Sequence, residues 1–239
     1  MKNKLLFIAI ISMCSVALAQ NHKTDSLYNL LKQPQPDTTK ADLLIELGRA
    51  FQLTNSDSTF LLSYQAYRIS IKNKYLSGIS RSATLIGNVY LETGNYPKAL
   101  EYFIHKLKIE EQRHKPESMA IVNMNIANVY QKEGDYKKSF IYALVADSII
   151  DANKINYLKV NSLLNLGDLF EKLGNLKSAL EYTLRTYALA VKENDINYKG
   201  AALNNLGNIY AKRNNNSLSI QSYKEALPFL EAAGDSAFL

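Results

Sequence analysis

Few residues of this chain are of a type that does chemistry. Among its 239 residues His22, His105 and His114 are the only histidines and Cys14 is the only cysteine. A zinc site needs three or four His, Cys or carboxylate ligands at short spacings, and no HExxH, CxxC or EF-hand pattern occurs. His105 and His114 stand nine apart on one predicted helix, which sets them on roughly opposite faces. No nucleophile elbow and no glycine-rich phosphate loop is present. Glu110 and Glu111 form a carboxylate pair of the kind used in acid–base work. Neighbours on a helix diverge by about 100°, however, so this pair is expected on a solvated face. No catalytic residue, metal ligand or cofactor site is predicted.

What remains is amide and amine chemistry. Asn125, Asn165 and Asn205 recur every 40 residues, and so do Lys132, Lys172 and Lys212. A primary amide carries both a donor and an acceptor, so it can hold the backbone of an extended peptide whatever its sequence. Lysines beside it favour an acidic ligand. The competing reading is that the asparagines bond between adjacent repeats and hold them together.

The same period runs through the elements that must position these groups. LIGNVYLETGNY from Leu85, NIANVYQKEGDY from Asn125, NLGDLFEKLGNL from Asn165 and NLGNIYAKRNNN from Asn205 are spaced by 40 residues, and a fainter ELGRAFQLTNSD from Glu46 precedes them by 39. Self-similarity at a fixed period of this length marks stacked repeats. In the unit from Ser80 to Ser118, Ala83, Ile86, Gly87, Tyr90 and Leu91 fall on one helical face, and Ala99, Leu100, Phe103, Leu107 and Ile109 on a second. Gly94 is expected to end the first helix in a left-handed conformation, with Asn95 capping the second and Pro97 in its first turn. Gly87 inside a helix costs about 1 kcal/mol against alanine. Gly48, Ala127, Gly167 and Gly207 hold the equivalent places, which argues for close helix approach instead of a hinge. Of the sixteen tyrosines, Tyr90, Tyr130 and Tyr210 sit at packing positions, so core is favoured over a stacking surface for sugar or peptide.

The ends depart from the pattern. Asn55-Ser56-Asp57-Ser58 and Asn214-Asn215-Asn216-Ser217 replace the Gly-x-Tyr turn with capping and left-handed chemistry of their own. Pro228 predicts a kink or break in the last helix, since an interior proline costs about 3 kcal/mol. Gly234-Asp235-Ser236 resembles a helix stop and a new N-cap, leaving the last apolar face uncovered; self-association or continuation of the array is expected there. Ahead of the repeats, Thr24 to Lys32 predicts a short amphipathic helix, with Pro34 and Pro36 in a stiff turn.

Ile86-Gly87, Tyr90, Gly94, Tyr96 and Ala99 resemble the tetratricopeptide repeat. The next copies give Ile126-Ala127, Tyr130, Gly134, Tyr136 and Ser139, then Leu166-Gly167, Phe170, Gly174, Leu176 and Ala179. The resemblance covers Ala41 to Ala233. Its 40-residue period is similar to a longer-helix branch of a family whose commonest repeat is about 34 residues, and the family's proline near the end of the second helix is missing from most copies. The resemblance implies an all-α, right-handed α-solenoid of antiparallel helix hairpins, with repeats near 41–79, 80–119, 120–159, 160–199 and 200–239. It implies that first helices line a concave face and that residues just after the first-helix glycine project into the groove: Arg49, Asn88, Asn128, Asp168 and Asn208. The implied function is a non-enzymatic scaffold for a protein or peptide. Exported arrays of this style are similar to sensor regions preceding a histidine kinase or LuxR-type output, so the alternative is the sensor part of a split or longer signalling protein.

Lys2 and Lys4, the apolar run from Leu5 to Val16 and Ala17-Leu18-Ala19 make a signal peptide over residues 1–19, with cleavage expected before Gln20. An uncleaved anchor and a lipoprotein acylated at Cys14 are the alternatives, and Met13 fits the latter poorly. Residues 20–38 then form the N-terminal helix and turn. Cleavage leaves an exported chain, periplasmic or secreted, with no cysteine and no further membrane span. Loss of Lys2 and Lys4 lowers the formal charge from +6 to +4, with both signs interspersed, so nucleic acid is not an expected partner.

Overall fold

The structure is a computed structural model and describes residues 24–237. The expected signal peptide over residues 1–19, with Cys14, and His22 lie outside the described residues. Among the described residues all regular structure is helical. Helix α1 covers 24–31, followed by α2 (Asp37–Phe51), α3 (Ser56–Lys72), α4 (Leu76–Glu92), α5 (Tyr96–Gln112), α6 (Pro116–Glu133), α7 (Tyr136–Ala152), α8 (Lys159–Lys172), α9 (Leu176–Glu193), α10 (Ile196–Lys212) and α11 (Asn216–Ala237). A short 3-10 turn, Asn156–Leu158, precedes α8. The chain forms two compact units, one ending at His114 and the other beginning at Lys115. The first contains the hairpins α2–α3 and α4–α5, and the second α6–α7, α8–α9 and α10–α11.

The turn residues make each hairpin. Gly94, Gly134 and Gly174 take left-handed backbone at φ 75°, 88° and 81°, and Asn214 does so at 58°. One residue later, Asn95, Asp135, Asn175 and Asn215 each accept a hydrogen bond from the N–H three positions on, at 3.0–3.3 Å. Asn55 caps α3 in the same way, at 2.8 Å from the Ser58 N–H. A second set of left-handed residues, Lys74, His114, Lys154 and Asn194, joins one hairpin to the next. His114 therefore sits in a turn after α5 and not on a helix shared with His105, contrary to the sequence expectation. Only the asparagine among them is suited to that conformation, since other L-residues lose about 1–2 kcal/mol there.

Small residues let the paired helices approach. A Cβ on Gly87 would lie 2.7–3.0 Å from ring carbons of Phe103, which is fully buried. In the third hairpin Ala127 and Ala143 pack in one cluster with Leu166 and Leu169. The first unit is filled by Ala41, Leu44, Ile45, Ala66 and Leu85, and the end of the second by Leu203, Leu206 and Ala226 under Leu180, Tyr187 and Phe229.

Three further local expectations need correction. Helix α11 runs unbroken through Pro228. That proline is solvent-exposed, so its ring meets water, while buried Ala226 and half-buried Phe229 keep the flanking turns on the core. The same helix continues through Gly234, Asp235 and Ser236. A glycine permits a left-handed stop without imposing one. Glu110 is not solvated: it is completely buried, accepts from the Ser80 hydroxyl, and pairs with Arg113 at 2.8 Å. It occupies the inward stripe of α5, where α7 carries buried Ile150 and α9 buried Ala190. Glu111 beside it is exposed.

Candidate functional site

In the second unit the recurring polar residues gather on the first helix of each hairpin. Asn125, Asn128 and Lys132 lie on α6, Asn165, Asp168 and Lys172 on α8, and Asn205, Asn208 and Lys212 on α10. Spacings of three and four place each trio on one helix face, away from the buried stripe of Ile126 and Val129 and its counterparts. Asn128 and the three lysines are exposed, and the others are half-buried.

Their bonding divides them. Asp168 accepts from the Gln131 side chain, which links α8 to α6. Burial raises the Asp168 carboxyl above its usual range, against the pull of Lys172. Lys212 reaches back 2.5 Å to Glu171, a carboxylate only 4% exposed, which links α10 to α8. Asn165 donates to Asn161 of its own helix at 2.8 Å, and Asn208 accepts from the Tyr223 hydroxyl of its own hairpin at 2.6 Å. Asn125, Asn128, Asn205, Lys132 and Lys172 have no side-chain hydrogen bond or ion pair among the described residues. Between first helices of the second unit the side-chain links include Gln131–Asp168, Glu171–Lys212 and Tyr198–Asn161, and Asn125, Asn128 and Asn205 take no part in them.

The first unit has its own seam. Arg81 on α4 pairs with Asp42 at 2.8 Å and Glu46 at 2.5 Å on α2. Tyr75 donates to both Asp42 oxygens at 3.0 Å. Arg49 is held 3.3 Å from Glu46, and half-buried Asn88 has no side-chain partner among the described residues. Sequence reasoning missed Arg81, Asp42, Glu46, Gln131 and Glu171. A signal did exist: Asp42 and Arg81, Gln131 and Asp168, and Glu171 and Lys212 are complementary pairs about one repeat apart.

The chemistry available here is recognition. Free amides and ammonium groups can bind carbonyls, N–H groups and carboxylates. No group of three His, Cys, Asp or Glu able to hold a metal occurs among the described residues.

Models of the tetratricopeptide repeat match residues 82–117 and 159–232. Those two stretches are tetratricopeptide repeats. Solved TPR-like structures share the fold, an all-α repeat solenoid. BtubC from P. vanneervenii superposes with a TM-score of 0.72 at 16% identity, over 91% of this chain and 90% of that one. A Rap protein solved with the competence and sporulation factor gives 0.70 at 14% identity, over 94% and 73%. A signal-transduction ATPase of the STAND class with a TPR sensor, from Pyrococcus horikoshii, gives 0.69 at 15% identity, over 94% of this chain and 42% of that one. Curated proteins offer no match. Among the described residues no helix is long and apolar enough to cross a membrane.

Proposed function

We propose that this TPR chain is a non-enzymatic scaffold of the cell envelope whose second unit grips an extended, acidic segment of a partner protein. The observation that carries the proposal is Asn128, exposed and without a side-chain partner among the described residues, between Asn125 and Lys132 on one face of α6. Half-buried Asn205 on α10 and exposed Lys172 on α8 likewise have no side-chain partner among the described residues. Other side chains meet the needs of the helix seam, so these amides are available to a peptide backbone, and the unpaired lysines favour carboxylates beside it. Asp168, Asn165, Asn208 and Lys212 are already engaged and would act from the edge of such a site. The envelope setting rests on the signal-like residues 1–19.

A second reading is the sensor part of a signalling system with its output elsewhere, favoured by the likeness to the STAND protein with its TPR sensor. In either reading α11 offers a contact for a second copy or a further repeat through Ile220 and Leu227, each 55% exposed. Fluorescence anisotropy with labelled extended peptides tests the proposal. Saturable binding of Asp/Glu-rich peptides over Lys-rich ones is expected, and equal or absent binding of both would sink it.

A further inference from the structure

The second helices of the first unit enclose a separate feature. Between α3 and α5 lies a furrow of about 460 Å³, within the range of small-ligand sites of about 300–1,000 Å³. Its walls are Tyr64, Tyr67, Tyr102 and His105. Tyr67 meets Tyr102 edge to face at 5.5 Å, and its hydroxyl lies 2.5 Å from His105 Nδ1, so neither ring is free to swing. Tyr102 in turn stacks on Tyr90 at 5.8 Å. Tyr64 is 40% exposed and offers its ring to the furrow.

The charges at the mouth are unequal. Glu101 is neutralised by Lys98 at 2.8 Å. Arg68 and Lys72, one helical turn apart on α3, are exposed and have no ion-pair partner among the described residues. Part of this set follows the repeat: Tyr102 recurs as Tyr142 and Tyr182, and Tyr67 and Lys72 recur as Tyr187 and Lys192 on α9. Tyr64 does not recur, since Ile104, Leu144 and Leu184 hold its place on α5, α7 and α9, and no other second helix carries cations at both the Arg68 and the Lys72 positions.

We propose that the α3–α5 furrow is a binding site for an aromatic carboxylate, whose ring lies against Tyr64 and Tyr102 and whose anion meets Arg68 and Lys72. Stacking on the tyrosines holds the ring, and the two cations select against a positively charged ligand of the same shape. The chemistry is shared by a free aromatic acid and by an aromatic residue flanked by acidic ones in a peptide. This site is independent of the face on α6, α8 and α10.

The chain contains no tryptophan, so indole fluorescence reports only the probe. The probes are indole-3-acetate and acetyl-Asp-Trp-Asp-amide, with tryptamine and acetyl-Lys-Trp-Lys-amide as cationic counterparts. Saturable binding of at least one acid, about tenfold or more tighter than its cationic counterpart, is expected, and the acid that binds identifies the source. Arg68→Glu with Lys72→Glu should weaken that acid about tenfold or more, as should Tyr64→Ala. The same charge change at Lys177 and Lys192 in the second unit should leave it within about twofold. All the substituted side chains are exposed or nearly half-exposed, and circular dichroism checks that each variant is folded. Should the double variant unfold, Lys72→Ala alone must still weaken the acid. Absence of saturable binding, equal affinity for acids and cations, or insensitivity to Arg68 and Lys72 would overturn the proposal.

Discussion

Gly87→Ala puts a methyl group where the two helices of the second hairpin meet. The new Cβ would stand 2.7, 2.9 and 3.0 Å from three ring carbons of Phe103. Carbon contacts are comfortable at about 3.5–4.0 Å, so the ring or the helix must yield by roughly 0.5–1 Å. Phe103 is fully buried, with no solvent side to retreat to. Overpacking of this kind costs about 1–3 kcal/mol. Replacing a helical glycine returns about 1 kcal/mol. The net expectation is a destabilisation of roughly 1 kcal/mol. Phe103→Ala alone should cost about 3–5 kcal/mol. In that background the obstruction is gone, and Gly87→Ala should stabilise by about 1 kcal/mol, restoring the alanine pair that Ala127 and Ala143 form in the third hairpin. The sign of the Gly87 effect therefore reverses between backgrounds, a coupling of about 2 kcal/mol. Urea unfolding of the four variants, followed by circular dichroism, measures it. Equal stabilisation by Gly87→Ala in both backgrounds would refute the close-approach argument, because only helix propensity would then be at work.

Other outcomes follow from single side chains. Glu110→Ala should destabilise by roughly 3 kcal/mol, because Arg113 and Ser80 lose the buried carboxylate that holds them. Glu110→Ile with Arg113→Gln should recover much of that loss in the same urea experiment, following the pattern of Ile150. Burial raises the Asp168 pKa, so the charged form is disfavoured in the fold and its cost appears as pH rises through the carboxylate range. Asp168→Asn should raise the melting temperature at pH 7, and the gain should vanish in acid, where Asp168 is protonated folded and unfolded alike. Burial, with Lys108 nearby, lowers the His105 pKa. Its contribution to stability should be present above about pH 6.5 and decline as pH falls from there. His105→Gln, matching Gln65 on α3, should flatten that part of a melting-temperature profile.

Much of the fold was legible because each repeat writes its turn chemistry openly. Gly94, Gly134, Gly174 and Asn214 mark the left-handed turns, and the residue after each caps the next helix. The turns between hairpins were harder to read, since Lys74, His114 and Lys154 are not types that advertise a positive φ. Pro228 misled because the cost of an interior proline depends on which side of the helix it faces, and burial is not written in one residue. Glu110 misled for a related reason. Its neighbour Glu111 suggested a charged surface, whereas its alignment with Ile150 and Ala190 across repeats would have put it inside. At the candidate site, residue types and helix faces were readable from the period. Which asparagines are free was not, because that depends on partners such as Gln131, Asn161 and Tyr223 that lie on other turns and helices.

The central claim is that the free amides of the second unit hold a peptide backbone and do not hold the repeats together. Asn128→Ala combined with Asn205→Ala tests it most directly, read by peptide anisotropy and urea unfolding on the same samples. The account predicts binding of an acidic extended peptide weakened about tenfold or more, from two lost hydrogen bonds of about 1 kcal/mol each, with stability changed by less than about 0.5 kcal/mol. Unchanged peptide affinity together with a clear loss of stability would contradict it.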